Sequence, residues 1–167
     1  YFVLICVCVS FTNAQMLLNP GFETGTWSSE SDMPDNWTKN EYSGWATWKD
    51  SSQGVAAHSG NNCVVAGSNT SDGYGYWRQS VLADPCRTYQ CGLWAMTENW
   101  GSPNAAAIID FKNGDGLVLA SESMPIFNGS QDSSWSYYSF VSDYSPWGTE
   151  SIDFTLFCDP YGSPVFD

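Results

Sequence analysis

The feature that most constrains the fold of this chain is a series of short strand-like runs separated by turns. Aromatic and β-branched residues alternate with clusters of Gly, Pro, Asn, Asp and Ser. Strands are predicted at 74–81, 88–96, 106–111, 117–121, 134–141 and 151–158, with a hairpin turn at 113–116. No long amphipathic helix is predicted. Regular short strands in a chain of 167 residues therefore predict one all-β domain, a β-sandwich.

Alternation within three of these runs assigns side chains to opposite faces of the predicted sheets. In 74–81 one face carries Tyr74, Tyr76 and Arg78, and the other carries Trp77 and Gln79. In 88–96 one face carries Tyr89, Cys91, Leu93 and Ala95, and the other carries Gln90, Trp94 and Met96. In 151–158 one face carries Asp153, Thr155 and Phe157, and the other carries Ile152, Phe154, Leu156 and Cys158.

Charge narrows the partners that such a domain can bind. The net charge is −13, and the five basic residues form no cluster. Nucleic acids and anionic membrane surfaces need a concentrated positive patch, so neither is an expected partner. Neutral ligands and cations remain. The nine Trp residues exceed what a core of this size needs, which indicates that some rings lie at the surface.

The first residues of the chain predict secretion. An apolar run at 1–9 is followed by small and polar residues ending at Ala14, the pattern of a secretory signal peptide cut after that residue. The run is too short to span a bilayer as a helix. We expect 1–14 to be a signal peptide that is incomplete at its start and 15–167 to be the folded domain. The alternative is that 1–9 forms a buried first strand.

Four cysteines remain after removal of the leader: Cys63, Cys86, Cys91 and Cys158. An even number in a secreted chain predicts two disulfides, with three pairings open. Cys86 and Cys91 flank a short turn and suit a bridge at a hairpin end, which would leave Cys63 with Cys158. Three glycosylation sequons begin at Asn36, Asn69 and Asn128 and predict a glycoprotein. A zinc site is not expected, because the chain has no CxxC motif and His58 is the only histidine.

An ordered series of short motifs gives the family resemblance. The series runs through Asn19-Pro20-Gly21-Phe22-Glu23, Trp27, Ser59-Gly60-Asn61-Asn62-Cys63-Val64, Gln79-Ser80-Val81, Pro85 to Tyr89, Leu93-Trp94-Ala95, Trp135, Tyr138, Phe140 and Phe166-Asp167. Over residues 17–167 it resembles the jelly-roll carbohydrate-binding modules of the cellulose- and xylan-binding type, within the galactose-binding-domain-like group. Cys63 stands where those modules usually have Ser. The resemblance implies a jelly-roll β-sandwich of two antiparallel sheets, with a final strand that begins near residue 163 and is cut short.

The resemblance also implies a structural calcium ion near the first strand. Calcium binds six to eight oxygens, including carboxylates and backbone carbonyls. Glu23 and Asp167 would supply carboxylates, Asn19 an amide oxygen, and Gly60 or Asn61 a carbonyl. In the alternative interpretation Glu23 is a hydrogen-bonded cap and Asp167 a frayed terminus.

A sugar site requires aromatic platforms together with polar groups. The predicted groove set is Tyr76, Arg78 and Trp94, with Trp45 and Trp48 from an early loop at its rim. Trp27, Trp37 and Trp135 are predicted to be structural. For any single Trp, burial in the core is the competing explanation.

These predictions combine into a secreted, monomeric, non-catalytic module that binds a polysaccharide or glycan through an aromatic-lined groove. Such a module would be appended to a glycoside hydrolase. Catalysis by the domain itself is not expected, because a single histidine offers neither a nucleophilic triad nor a zinc site. Paired carboxylates remain the catalytic alternative, with Asp110 and Glu98 near strands that could face a groove. The alternative is an extracellular adhesion or matrix domain that binds a protein or glycoprotein through its loops.

Overall fold

The computed structural model of the protein describes residues 16–27, 32–68, 70–101, 104–128, 133–159 and 162–167. Within these ranges the chain forms twelve β-strands and a 3₁₀ turn at Ser51–Gln53. The strands are β1 (Gly25–Thr26), β2 (Met33–Pro34), β3 (Thr38–Tyr42), β4 (Gly44–Asp50), β5 (Asn62–Ser68), β6 (Tyr74–Leu82), β7 (Gln90–Gly101), β8 (Asn104–Lys112), β9 (Val118–Asn128), β10 (Ser136–Val141), β11 (Ser151–Asp159) and β12 (Gly162–Phe166). The described part of the chain has no helix long and apolar enough to cross a membrane. The predicted signal peptide lies outside the described residues.

Ten of these strands build two five-stranded sheets that pack face to face. The front sheet has the strand order β3-β6-β11-β8-β9, and the back sheet has the order β10-β7-β12-β5-β4. Every pairing in both sheets is antiparallel. β1 and β2 form a separate two-stranded ribbon. The prediction of a jelly-roll β-sandwich of two antiparallel sheets is confirmed.

The core lies between the sheets and consists of the inward-facing residues of the alternating strands. Its largest fully buried side chains include Trp48, Trp77, Phe22 and Phe111. The indoles of Trp48 and Trp77 both have hydrogen-bond partners. Nε1 of Trp48 donates to the carbonyl of Phe22 at 2.9 Å, and Nε1 of Trp77 donates to the carbonyl of Val65 at 3.0 Å. These bonds satisfy the polar atom that each ring brings into the core.

The six predicted strands are confirmed with shifted ends, and the run at 117–121 is the start of the longer β9. The strand expected near residue 163 is β12, which lies between β7 and β5 in the back sheet. The patterns miss β3, β4 and β5. The polar edge strand β3 has no apolar alternation, and β5 is buried at every position, so neither shows a period of two. The prediction that Trp45 and Trp48 lie in a loop is wrong, because both belong to β4.

The prediction of disulfides is not met: the described residues contain none. Cys63 belongs to an apolar cluster on the outer side of the back sheet, whereas Cys158 points into the interior. A bridge between Cys63 and Cys158 would therefore have to join side chains that face opposite sides of the back sheet. Burial raises the pKa of the Cys91 and Cys158 thiols to about 12.

Of the three sequon asparagines, Asn36 is exposed in the turn after β2, Asn69 lies outside the described residues, and the side chain of Asn128 is not described.

A second apolar cluster, which we name the back cluster, lies on the outer side of the back sheet. It consists of Val55, Cys63, Val65 and Val165, with Trp45, Ala57, Met96 and Trp135 packed against it. Val55 and Ala57 come from the segment 54–61, which joins the 3₁₀ turn to β5 and covers this part of the sheet. We call 54–61 the covering segment.

Candidate functional site

The structure divides the predicted groove residues among three places. Tyr76 and Arg78 face outward from the front sheet, because they alternate on β6 with the buried Trp77 and Gln79. Trp94 faces outward from the back sheet, opposite the buried Leu93 and Ala95 on β7. The prediction of one groove shared by Tyr76, Arg78 and Trp94 is therefore wrong. Alternation gave the correct faces, but β6 and β7 belong to different sheets, whose outer faces point in opposite directions.

The two rim residues are also separated from that groove. Trp48 is 1% exposed, and its ring stacks on Trp27 at a centroid distance of 4.0 Å. It is a core residue, so its prediction as a platform at the rim is wrong. Trp45 lies on the other face of β4 and packs against the back cluster. The predicted structural roles of Trp37, which is buried, and Trp27, which covers Trp48, are consistent with this packing.

A column of tyrosines stands at one end of the front sheet's outer face. Tyr42 of β3 stacks on Tyr74 at 5.8 Å, and Tyr74 stacks on Tyr76 at 6.3 Å with their planes 12° apart. The guanidinium of Arg78 lies over the ring of Tyr76 at 4.8 Å, within cation–π range. Because these rings face one another, a ligand on the sheet meets their edges and hydroxyl groups. We name this set the tyrosine column.

A cavity of about 340 Å³ opens next to the tyrosine column. Its lining residues are Asn104, Ala105, Ala106, Pro125, Phe127, Phe157 and Asp159. In the strand ladders Phe157 lies between Tyr76 on β6 and Ala106 on β8, and its ring is 6.0 Å from that of Tyr74. The small side chain of Ala106 leaves space beside the ring. The cavity thus joins an aromatic and apolar floor to one amide and one carboxylate.

A charged cluster occupies the middle of the same face and is centred on Asp153. This carboxylate accepts hydrogen bonds from Lys112 Nζ and Ser80 Oγ, both at 2.5 Å, and Arg78 lies 3.6 Å away. Nε of Arg78 donates to Oγ1 of Thr155 at 3.0 Å. Burial acts to raise the pKa of Asp153, but the hydrogen bonds and charges of its partners outweigh it and lower the pKa. Asp153 is therefore ionised at neutral pH and holds two cations on the sheet surface.

The turn at 59–61 brings together four of the five predicted calcium ligands: Glu23, Gly60, Asn61 and Asp167. The carboxylate of Glu23 accepts hydrogen bonds from the backbone N–H groups of Asn61 at 3.0 Å and Asn62 at 3.1 Å. Oδ2 of Asp167 accepts from the backbone N–H of Ser59 at 2.5 Å. Asn19 serves a different purpose. Its side-chain amide donates to the carbonyls of Thr24 and Asp35 and accepts from the N–H of Thr24, which closes the first turn.

The chemistry of this donor set fits calcium. Glu23 and Asp167 are close enough for their charges to interact. Burial is the main cause that raises the pKa of Asp167, the hydrogen bonds from Ser59 and the charge of His58 offset part of this rise, and the charge of Glu23 adds a smaller upward contribution. A divalent cation would relieve that repulsion, and the two carboxylates with turn carbonyls are oxygen ligands of the kind calcium takes. The carboxylates now bond to backbone N–H groups, so Glu23 caps the turn in this structure. Among the described residues no three His, Cys, Asp or Glu side chains cluster as a metal site.

Sequence reasoning missed Phe157, Tyr42, Lys112 and Asp153 as members of the front face. The alternation in 151–158 already placed Phe157 and Asp153 on one face. What it lacked was the pairing of β11 between β6 and β8, which sets Phe157 beside Tyr76 and Asp153 beside Ser80. Tyr42 and Lys112 join the face through β3 and β8, the neighbours of those strands.

No protein-family profile and no curated protein sequence matches the chain. Solved structures do match. The enzymatically active domain of tailspike protein 4 of bacteriophage CBA120 has a TM-score of 0.67 at 19% identity, over 90% of this chain. This chain spans only 20% of that protein.

Two carbohydrate-binding modules match along nearly their whole length. The family 61 module TmCBM61, solved in complex with β-1,4-galactotriose, has a TM-score of 0.54 at 18% identity and covers 93% of this chain and 95% of its own. The C-terminal family 22 module of Clostridium thermocellum Xyn10B has a TM-score of 0.57 at 12% identity, covering 91% and 90%. At such identities the likeness concerns the fold. The chain has the jelly-roll β-sandwich fold of carbohydrate-binding modules.

Proposed function

We propose that this domain is a non-catalytic carbohydrate-binding module that binds a neutral polysaccharide or glycan on the outer face of the front sheet. The observation that carries the proposal is the cavity beside Phe157. Sugars present apolar C–H faces surrounded by hydroxyl groups. A floor of Phe157 and Pro125 with the amide of Asn104 and the carboxylate of Asp159 complements both features.

The rest of the front face extends this site along a glycan chain. The tyrosine column offers hydroxyl groups next to the cavity, and Arg78 and Lys112 keep donors beyond those bound to Asp153 and Thr155. A face with this mixture suits several sugar units in a row. The fold it shares with a module solved with β-1,4-galactotriose, and with a module studied for ligand binding in its cleft, supports the same function.

Glycoside cleavage is not part of the proposal. Hydrolysis by paired carboxylates needs an acid that is protonated near neutral pH. Asp153 is the carboxylate most enclosed on this face, and its lowered pKa keeps it ionised. It is a structural anchor for Arg78 and Lys112.

Three further properties belong to the proposal. The domain is secreted after removal of residues 1–14, as the apolar leader indicates. It works as a monomeric module next to a glycoside hydrolase domain. It holds a structural calcium ion through Glu23, Asp167 and the carbonyls of Gly60 or Asn61, where the ion would neutralise the two carboxylates and fasten the turn at 59–61.

Affinity electrophoresis of residues 15–167 tests the binding function. Gels containing hydroxyethyl cellulose, xylan, mixed-linkage β-glucan, β-1,4-galactan or mannan are run with calcium and with chelator. We expect retardation in at least one gel. Phe157→Ala removes the aromatic floor and should weaken binding by about fivefold or more, because loss of an aromatic contact costs about 1 kcal/mol or more.

The matched control is Trp147→Ala. Trp147 is 82% exposed in the loop before β11, where its loss removes an aromatic ring without opening the core. The control should bind as the parent does. A folded protein that migrates freely in every gel would refute glycan binding as its main function.

A patch of exposed apolar side chains favours the adhesion domain as the second candidate. Leu82 is 86% exposed and Trp147 82%, and Leu117 is also exposed, on loops and strand ends at one end of the sandwich. Such patches often mark protein contacts. If glycan binding fails while Trp147→Ala abolishes attachment to extracellular matrix proteins such as fibronectin and laminin, the adhesion function replaces the first proposal.

A further inference from the structure

The outer face of the back sheet carries an aromatic ring, that of Tyr137, which is not part of the core. Tyr137 lies on the edge strand β10 and is 57% exposed. A side chain built on Gly92 of the neighbouring strand would collide with Oη and Cζ of the tyrosine ring. The ring therefore lies across β7 at Gly92, with one side on the strand and the other toward solvent.

This orientation differs from that of the tyrosine column on the front sheet. Tyr74 stacks on Tyr42 at one side and on Tyr76 at the other, and Arg78 covers Tyr76, so the ring faces of Tyr74 and Tyr76 are occupied. Tyr137 instead offers a ring face to solvent. Trp94 stands beside it at 5.3 Å with its plane tilted by 53°, which forms a wall at one side of the platform. The apolar face of a pyranose ring can stack on the exposed face of Tyr137, with the tilted ring of Trp94 at its side.

Contacts with other aromatic rings fix the position of Trp94. Its other neighbour is His58, stacked at 3.8 Å with the planes 12° apart, and Trp135 meets His58 edge-on. His58 belongs to the covering segment, whose end is held by the bond from Ser59 to Asp167. The wall of the platform is thus in place before any ligand arrives, which reduces the cost of ordering it on binding.

The chemistry around Tyr137 selects a neutral, hydroxyl-rich ligand. The outward residues of β10 and of 90–96 are Gln90, Gly92, Trp94, Met96, Tyr137, Ser139 and Val141, and none carries a charge. Gln90 and Ser139 are exposed and supply an amide and a hydroxyl near the ring. In a chain of net charge −13, an uncharged aromatic surface favours a neutral sugar over a charged partner.

We propose that the outer face of the back sheet, centred on Tyr137 and walled by Trp94, is a second binding platform for a neutral glycan. It goes beyond the front-sheet function and does not depend on it, since the two platforms share no residue. With one platform on each outer face, the module would hold two glycan segments at once and cross-link them.

The test is a nuclear magnetic resonance titration of ¹⁵N-labelled residues 15–167 with cellohexaose, xylohexaose, mannohexaose and β-1,4-galactotriose. We expect one of these sugars to shift amide signals in two separate groups, one around Phe157 and one around Gly92 and Ser139. Tyr137→Ala should weaken the second group's binding by about tenfold and leave the first unchanged. Tyr137→Phe keeps the ring and should bind at both platforms.

Gly92→Ala gives an independent test, because a methyl group there pushes the Tyr137 ring off the strand without removing it. It should abolish binding at the back platform only, and thermal unfolding checks that the variant stays folded. Shifts around Phe157 alone would refute the second platform, and shifts around Tyr137 alone would refute the front site. No shift with any sugar refutes both. Amide signals around Tyr137 that shift as the protein concentration is raised, in the absence of sugar, would assign this face to self-association and overturn the proposal.

Discussion

The two outer faces of the sandwich come from the same alternation of strand residues but have different surroundings. The front face is open, with the tyrosine column and the cavity beside Phe157 accessible from solvent. Much of the back face is closed, since Val55 and Ala57 of the covering segment pack on Val65 and Val165. Alternation predicts which side chains leave the interior. It does not predict whether they meet water or a second layer of the chain.

The two faces also use their carboxylates differently. On the front, Asp153 lies beneath Lys112 and Arg78 and holds these cations at the surface. On the back, Glu23 and Asp167 hold the end of the covering segment through its backbone N–H groups. The front carboxylate therefore orders the surface on which we propose that a ligand binds, whereas the back carboxylates fix the segment that covers part of the sheet.

Replacing two tryptophans of β4 separates the interior from the back face and should give the largest effect. Trp48→Ala removes a fully buried ring and should lower the free energy of unfolding by about 3–5 kcal/mol. Trp45→Ala removes a half-buried ring from the back cluster and should cost about 1–2 kcal/mol. Urea unfolding followed by circular dichroism measures both. Equal losses of unfolding free energy would show that the back cluster stabilises the fold as much as the interior core does.

Calcium should stabilise the back face and leave the front unchanged. A ligand that binds only the folded state adds about 2.7 kcal/mol when present at about a hundred times its Kd. We expect thermal unfolding in calcium chloride to occur at a higher temperature than in chelator. Glu23→Gln and Asp167→Asn should abolish the difference, while Asp72→Asn, in an exposed turn, should keep it. A shift that survives both ligand variants would place the ion elsewhere.

The pH dependence of that shift has a definite sign. Because the folded-state pKa of Asp167 is raised, the folded protein takes up a proton there at a higher pH than the unfolded chain does. A proton on Asp167 competes with calcium. The stabilisation by calcium should therefore shrink as the pH is lowered from about 7 toward the usual carboxyl range near 4. A calcium effect that grows on acidification would contradict this assignment.

Asp153→Asn tests the front-face anchor and should have a smaller effect on stability. It leaves Lys112 and Arg78 without their shared charge, which should lower the free energy of unfolding by about 1–2 kcal/mol. Because the folded pKa is lowered, the contribution of Asp153 is present above about pH 4 and disappears as the pH falls below that value. Urea unfolding at several pH values measures this. Asp115→Asn, in the exposed turn after β8, is the control and should change little.

How far the sequence predicts this molecule depends on the range of the interaction. Alternation within one strand correctly set Tyr76 and Arg78 opposite Trp77, and Trp94 opposite Leu93. These assignments need only the period of the strand. The shared groove failed because it required knowing that β6 and β7 belong to different sheets, and pairing partners are far apart in the sequence.

The turn at 59–61 shows the same dependence on the range of the interaction. The resemblance of motifs brought Glu23, Gly60, Asn61 and Asp167 together, across more than a hundred residues, where alternation alone could not. The role of Asn19 differed because its amide is used locally, in bonds to the neighbouring Thr24. A short polar side chain in a turn commonly bonds to nearby backbone, and this local use competes with a role as a ligand.

Reduction of the protein should have the smallest effect of all. Cys63 faces the back cluster and Cys158 the interior, and no disulfide is seen between the two sheets in the described part of the chain, so packing holds the sheets together there. A reductant should therefore leave the thermal midpoint unchanged. With thiol pKa values of about 12, Cys91 and Cys158 should resist iodoacetamide at about pH 8 in the folded state and react after unfolding without reductant. A fall in the midpoint on reduction, or cysteines that stay unlabelled in the unfolded protein, would show a covalent link between strands and restore the prediction of disulfides.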